Sequence, residues 1–322
     1  MKLLLKIALV SLTLLAPGTA WPQSYPAKPV RWIVPLPPGG STDLISRLIA
    51  QKLTDVWRVQ VVVDNRPGAA GTTGLALLAK SPPDGYTIAL AQTGNVAIAP
   101  GLYAKLAYDP VKDLAPVTQV LSTPLILIAH PSLPAKGTRE LVALARAKPD
   151  TITYASGGTG GQVHLATAML TSMTGVRMVH VPYKGVGPAL VELIGGQVAI
   201  SLTSIPPAMP HIKSGKLKAL GVSSARRFKS LPDVRTIAED GAAGYEVSVW
   251  YGVMMPAGTP REIITRANTD IVRILAQPDV QERFSGEGGE MAAGTPEAFG
   301  AYIRAEIARW TKVITETGVK VE

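Results

Sequence analysis

The chain has 322 residues, 47% of them hydrophobic and 17% charged, a formal net charge of +9, and no cysteine. That length carries one large or two modest domains with core enough to stand without disulfides, and the absent thiol excludes a cysteine nucleophile, an N-terminal lipid anchor on cysteine and a cysteine-type zinc site. The basic residues are dispersed, Arg226-Arg227 being the only adjacent pair, and aromatics make up 5%, a pattern unlike a nucleic-acid surface and suited to steering a small anion.

Lys2 and Lys6 flank the start of an apolar stretch whose main segment is Ile7 to Leu15, followed by Pro17-Gly18-Thr19-Ala20. This reads as a secretory signal over residues 1–20, cleaved after Ala20; the stretch is shorter than the ~20 residues of a membrane span. The expected product is an exported protein.

Arg31 to Val34 reads as a strand, and a Pro/Gly turn follows it. A helix then opens at Ser41 or Thr42, with Leu44, Ile45, Leu48, Ile49 and Leu53 on one face. Strand, glycine turn and helix N-terminus make an anion site, because unpaired N–H groups converge there at the positive end of the helix dipole. The turn holds no lysine, so backbone and hydroxyl groups would hold a carboxylate. Asp43, in the first helical turn, is read as a capping residue that points away from an anion. A second such device follows: strand Val59 to Val63, the turn Asn65 to Gly74, and a helix from about Thr73 to Lys80. Turns at the ends of neighbouring strands face one crevice in open α/β sheets.

Gly85 to Ala91 reads as a third strand ending in the polar turn Gln92 to Asn95, which also has access to the crevice. Residues 96–118 read as a Pro-rich surface passage, and Val120 to Ala129 as a long strand broken at Ser122-Thr123-Pro124. A second α/β block follows. Its helices are Thr138 to Ala147, Gln162 to Thr174 and Gly187 to Ile194, and its strands Thr151 to Ala155, Met178 to Val181, Val198 to Leu202 and Lys216 to Val222. Thr203 to Pro207 reads as a turn. Tyr245 to Met254 is a second long strand returning to the first block. Pro260 to Leu275, Pro278 to Phe284 and Pro296 to Thr317 are helices, two of them opened by Thr-Pro. Alternating βα units and two long connecting strands predict an α/β fold of two lobes with a cleft between them. The expected division is 21–123 plus 251–322 for the first lobe and 124–250 for the second.

Ser156 to Gly161 lacks Gly-Lys-Ser/Thr, and the third glycine of a dinucleotide fingerprint would fall on Val163, so neither nucleotide pattern holds. The histidines, His130, His164, His180 and His211, show no metal-ligand spacing. No Gly-x-Ser-x-Gly exists. No metal, cofactor or catalytic residue is expected; a secreted hydrolase or lyase using Lys184 or His164 is the weaker alternative.

The ordered motifs Pro37-Pro38-Gly39-Gly40-Ser41-Thr42-Asp43 with Arg47, Asn65-Arg66-Pro67-Gly68-Ala69-Ala70-Gly71, Pro83-Asp84-Gly85-Tyr86-Thr87, Gly158-Thr159-Gly160-Gly161, Val181-Pro182-Tyr183-Lys184-Gly185, Ile212-Lys213-Ser214-Gly215-Lys216 and Pro256-Ala257-Gly258-Thr259-Pro260 resemble the Bug family, periplasmic receptors of tripartite tricarboxylate transporters. The resemblance covers essentially the whole mature chain. It implies a two-lobed periplasmic binding protein fold (type II-like) whose lobes, joined by two long crossing strands, close on a small organic carboxylate. The implied ligand contacts are Gly39, Gly40, Ser41, Thr42, Asp43, Ala69, Ala70, Gly71 and Thr72 in one lobe. In the other they are Thr159, Gly160, Gly161, His164, Tyr183, Lys184, Thr203 and Ser204. Many members carry an acid where this chain has Thr203-Ser204, which disfavours an amino-bearing ligand. The implied partners are transporter membrane subunits or a sensor domain, and the default state is a monomer.

Overall fold

The computed structural model describes residues 25–286 and 288–321; the signal assigned to residues 1–20 lies outside them. The first lobe begins with β1 (Val30–Val34), α1 (Ser41–Trp57), β2 (Val61–Asn65), α2 (Thr72–Ala79) and β3 (Thr87–Gln92). β1 lies parallel to both β2 and β3, as βα crossovers require. Both faces of this sheet are covered. Val30, Trp32 and Val34 pack with Ile45, Ile49 and Leu53 of α1, while Ile33 faces the opposite core with Leu75 and Leu78. That alternation is the period of two of a strand buried on both sides.

The chain then departs from the sequence expectation. Residues 94–102 form a wide helical turn (Gly94–Ile98) and α3 (Ala99–Leu102), with Val96, Ala97, Ile98 and Ala99 buried, so this part is core and not a surface passage. β4 runs unbroken from Leu114 to Ala129. Its prolines, which suggested breaks, sit where pairing tolerates a missing N–H. The register shifts beside Pro116, and Pro124 lies where β4 changes partners. Residues 114–124 pair antiparallel with β9 (Ser248–Pro256), and residues 125–129 pair with β7 (Ile200–Ser204) and β8 (Lys218–Val222). β9 in turn pairs with β3. β4 and β9 therefore join the two halves of the sheet.

The second lobe adds α4 (Thr138–Ala147), β5 (Thr153–Ser156), α5 (Gln162–Thr174), β6 (Val179–Pro182), α6 (Val186–Ile194) and α7 (Ile205–Lys213). β5 is parallel to β6 and β7. The sequence reading treated the start of α7 as a turn. Ser204 in extended conformation as N-cap and prolines in the first helical turn are helix-start features that the Pro-Pro pair masked. The C-terminal part returns to the first lobe with α8 (Arg261–Leu275), α9 (Pro278–Gly286), β10 (Glu290–Met291) and α10 (Pro296–Thr317). α10 is pinned over the crossing strands: buried Glu306 accepts from the indole N–H groups of Trp250 (3.3 Å) and Trp310 (3.2 Å) and from Arg309 (3.1 Å). Among the described residues no helix is long and apolar enough to cross a membrane.

Candidate functional site

A cavity of about 740 Å³ opens between the lobes. Its floor is Leu121, Thr123 and Leu125 of β4 with Val249 and Tyr251 of β9. One wall is the first βα turn and α1, carrying Leu36, Gly39, Gly40, Ser41, Leu44 and Ile45, completed by Gln92 and Phe284. The other wall belongs to the second lobe: Gly157, Gly161, Gln162, Val163, Val186, Ser204, Pro206 and Pro207.

Helix starts from both lobes meet here. α1 begins after Gly40, α5 after Gly161, α6 after Gly185 and α7 after Ser204, and none receives a side-chain capping hydrogen bond. In α1 the Asp43 and Leu44 amides both donate to the Gly40 carbonyl at 3.0 Å, which leaves the Ser41 and Thr42 amides at the open end. An uncapped start exposes N–H donors at the positive end of a dipole, the arrangement that holds an anion. α7 differs, because Pro206 and Pro207 have no N–H to offer.

The first turn is held from behind. Asp43 accepts from the Gly39 N–H (2.9 Å), from Arg47 Nε (2.9 Å) and from Asn65 Nδ2 (3.0 Å). Asn65 also donates to the Leu36 carbonyl at 3.1 Å, so the end of β2 is tied to the turn after β1. Burial pushes the Asp43 carboxyl up, but the hydrogen bonds from Arg47, Gly39 and Asn65 and the Arg47 charge outweigh it and lower its pKa to about 2. Asp43 thus faces the turn's own donors, as a capping residue does.

The second turn sits behind the first. Gly68, Ala69, Ala70 and Gly71 all have positive φ (138°, 44°, 55° and 93°), a left-handed run that strains its alanines. A Cβ on Gly71 would meet Asn95 Nδ2 at 2.7 Å and the Pro35 carbonyl at 3.2 Å, so this position packs onto the first turn's backbone. Ala69 and Thr72 line a separate groove with Tyr103 and Lys105, and the Thr72 hydroxyl donates to the Ala69 carbonyl at 2.9 Å.

Beneath the second lobe's glycine turn lies a stack of rings. His164 and His180 are parallel at 3.7 Å between centroids, and Tyr154 stacks on His180 at 4.9 Å. His164 Nδ1 accepts from the Gly160 N–H at 3.0 Å, and His180 Nε2 lies 2.6 Å from the Ser156 hydroxyl. Burial and the neighbouring His180 draw the His164 pKa down to about 4, and burial lowers that of His180. Both rings are therefore neutral at pH 7 and brace the turn that carries Gly157 and Gly161.

Of the residues singled out from sequence, the structure brings Gly39, Gly40, Ser41, Gly161 and Ser204 onto the cavity. Thr42 and Asp43 are buried behind it. A Cβ on Gly160 would meet Leu102 and Val321, so this residue packs against the first lobe beside the cavity. Thr159 and Lys184 are exposed, Tyr183 is half-buried, and none of these lines the cavity. His164 is buried under the turn, and Thr203 is buried behind Ser204. Sequence reasoning missed the apolar lining, from Leu36 and Leu44 to Phe284, and the Pro206-Pro207 rim. A signal existed for the rim alone, since Ser before Ile-Pro-Pro is a helix start.

The chain matches the family described as "Tripartite tricarboxylate transporter family receptor" over residues 45–319. It is 38% identical to protein BugT of Bordetella pertussis over 98% of both chains. Among solved structures it resembles R. palustris Rpa4515 with adipate (TM-score 0.82, 35% identity, 92% of this chain and 99% of that one). The periplasmic binding protein BugD is similar too (TM-score 0.78, 34% identity, 92% and 100%). The fold is the two-lobed α/β fold of periplasmic binding proteins, and both family and fold are those of solute-binding receptors. With the motifs, the topology and the cleft in agreement, the chain belongs to the tripartite tricarboxylate transporter receptor family.

Proposed function

We propose that this protein captures a small organic carboxylate in the cavity between its lobes and presents it to the membrane subunits of a tripartite tricarboxylate-type transporter. The observation that carries this reading is the meeting of uncapped helix starts from both lobes on one cavity without a charged side chain among its described lining residues. A carboxylate is the ligand such amides satisfy, and an adipate-bound relative supports the same class. The first lobe comprises 21–123 plus 251–322 and the second 124–250. Gly39, Gly40 and Ser41 hold one carboxylate, and Gly161 and Ser204 meet the distal part. Thr42, Asp43, Ala69, Ala70, Gly71 and Thr72 shape the first-lobe cradle. Thr159, Gly160, His164, Tyr183, Lys184 and Thr203 serve the second-lobe face as it closes.

Binding works by differential affinity. A ligand that touches both lobes favours the closed state, and the shift cannot exceed its preference for that state. The protein is non-catalytic, acts as a monomer in the periplasm, and loses residues 1–20 on export. The test is a thermal-shift screen against mono-, di- and tricarboxylates, confirmed by calorimetry. A true ligand at 100 times its dissociation constant stabilises by about 2.7 kcal/mol. A panel without one binder refutes the reading.

A further inference from the structure

The described core falls into three clusters. One runs through both lobes: Ile33, Leu75 and Leu78 of the first, Leu127, Tyr154 and Leu165 of the second, and Trp250 and Trp310 between them. On this face Glu306 ties the two indoles together, and the Tyr245 hydroxyl donates to the Ala166 carbonyl at 3.0 Å. The other two clusters are separate, one to each lobe. Ile45, Leu121, Ile271 and Phe284 pack under α1 and α8, and Ile126, Ala155, Leu193 and Ile205 under α6 and α7. These two are bridged beside the cavity, where the half-buried Phe228 of the second lobe meets the buried Gly288 of the first. A Cβ on Gly288 would lie 3.2 Å from Phe228 Cζ, 3.6 Å from its Cε2 and 3.8 Å from Ile205 Cβ. Each partner is held by its own lobe. The Phe228 carbonyl accepts from the Leu231 N–H at 2.9 Å, and Arg227 reaches Glu239 (3.0 Å) and the Pro232 carbonyl (3.3 Å). Gly288, at φ 80°, donates to the Ser285 carbonyl at 3.0 Å, and the Gly289 N–H to that of Phe284 at 2.9 Å. Neither Phe228 nor Gly288 lines the cavity, whereas Phe284 does.

We infer that Phe228 is a positioning residue for ligand capture: its ring latches the second lobe onto the Gly288 turn of the first when the cleft is shut, and lets go when it opens. The inference rests on the receptor reading above and adds what holds the shut state. A close-packed core common to both lobes resists separation, so the pivot lies on the face of α5 and α10. Phe228 and Gly288 stand between the two cores that part. An apolar contact made only in the shut state raises the population of that state and the residence time of an acid inside, without touching the acid.

The chain has no cysteine, so Val56→Cys on α1 and Val191→Cys on α6, both exposed and outside the cavity, place one spin label on each lobe. Pulsed electron paramagnetic resonance on the mature chain reads the distance between lobes, first with no acid added and then with adipate. Without acid, Phe228→Ala is expected to move the ratio of short to long distances roughly tenfold toward the long one, with Phe228→Leu in between. With adipate, stopped-flow mixing is expected to show dissociation from Phe228→Ala faster by a similar factor and association within about twofold of the parent. Circular dichroism verifies each fold, and Phe228→Leu carries the test if Phe228→Ala does not fold. Distances and dissociation rates equal to the parent's overturn the inference and leave the receptor reading standing. Slower association at unchanged dissociation also overturns it. If no acid of the panel binds, the receptor reading falls, and the acid-free distances still decide the latch.

Discussion

The amide cradle at the start of α1 has a substitution that isolates it. Ser41 is the first helical residue, its side chain is exposed, and Gly40 before it is extended at φ −84°, ψ 172°. Those are the conditions proline accepts: fixed φ near the helical value, an extended preceding residue, and no intrahelical partner lost. Ser41→Pro therefore deletes one N–H donor and one hydroxyl while leaving α1 intact, and Ser41→Ala deletes the hydroxyl alone. A hydrogen bond to a charged group contributes about 1.5–3 kcal/mol, so the proline variant should lose roughly tenfold to a hundredfold in affinity for the tightest acid of the panel. The alanine variant should lose less, and both should melt within a few degrees of the parent. Calorimetry gives the affinities and calorimetric melting gives the stabilities. Equal affinity in Ser41→Pro and the parent, at equal stability, would mean that the α1 amides do not hold the ligand.

Three further outcomes follow from the geometry. His164 has its folded pKa drawn below the unfolded value, so stability is complete above pH 6.5 and falls as pH drops toward 4; the linkage is worth about 2 kcal/mol by pH 5, and His164→Gln should flatten the urea-unfolding profile between pH 7 and 5 relative to the parent. Asp43 has a depressed folded pKa, so its contribution stands above about pH 3.8 and is lost as pH falls toward 2; Asp43→Asn should cost about 2 kcal/mol at pH 7 by denaturant titration and loosen the Gly39 turn, weakening ligand. In Gly252→Ala the new Cβ would overlap the Phe299 ring where α10 crosses β9; overpacking of that kind costs about 1–3 kcal/mol, and an unshifted melting temperature would contradict the packing described.

Much of the architecture was legible because its signals are local. The βα alternation, the glycine turn before α1 and the Thr-Pro start of α10 lie within windows of a few residues, where periodicity and capping chemistry act. Prolines misled in both directions. Pro116 read as part of a surface passage and Pro124 as a break in the strand, yet β4 absorbs them at a register shift and at a change of partner. Pro206 and Pro207 read as a turn, yet they sit inside the first turn of α7. The cavity's interior was not legible, since Phe284 and Leu125 come to line one cavity only through tertiary packing. The His164–His180 stack joins a helix to a strand 16 positions away in sequence, and no short pattern announces it.

The register of the crossing strands sets how this molecule can be rebuilt. Pro124 and Ser248 are paired neighbours on β4 and β9, so everything from 125 to 247 leaves and re-enters through a doorway one strand spacing wide, about 5 Å. A segment anchored in that way is a cassette. Exchanging it for the matching piece of a relative should transplant half of a ligand's recognition while the remaining scaffold keeps its own helices.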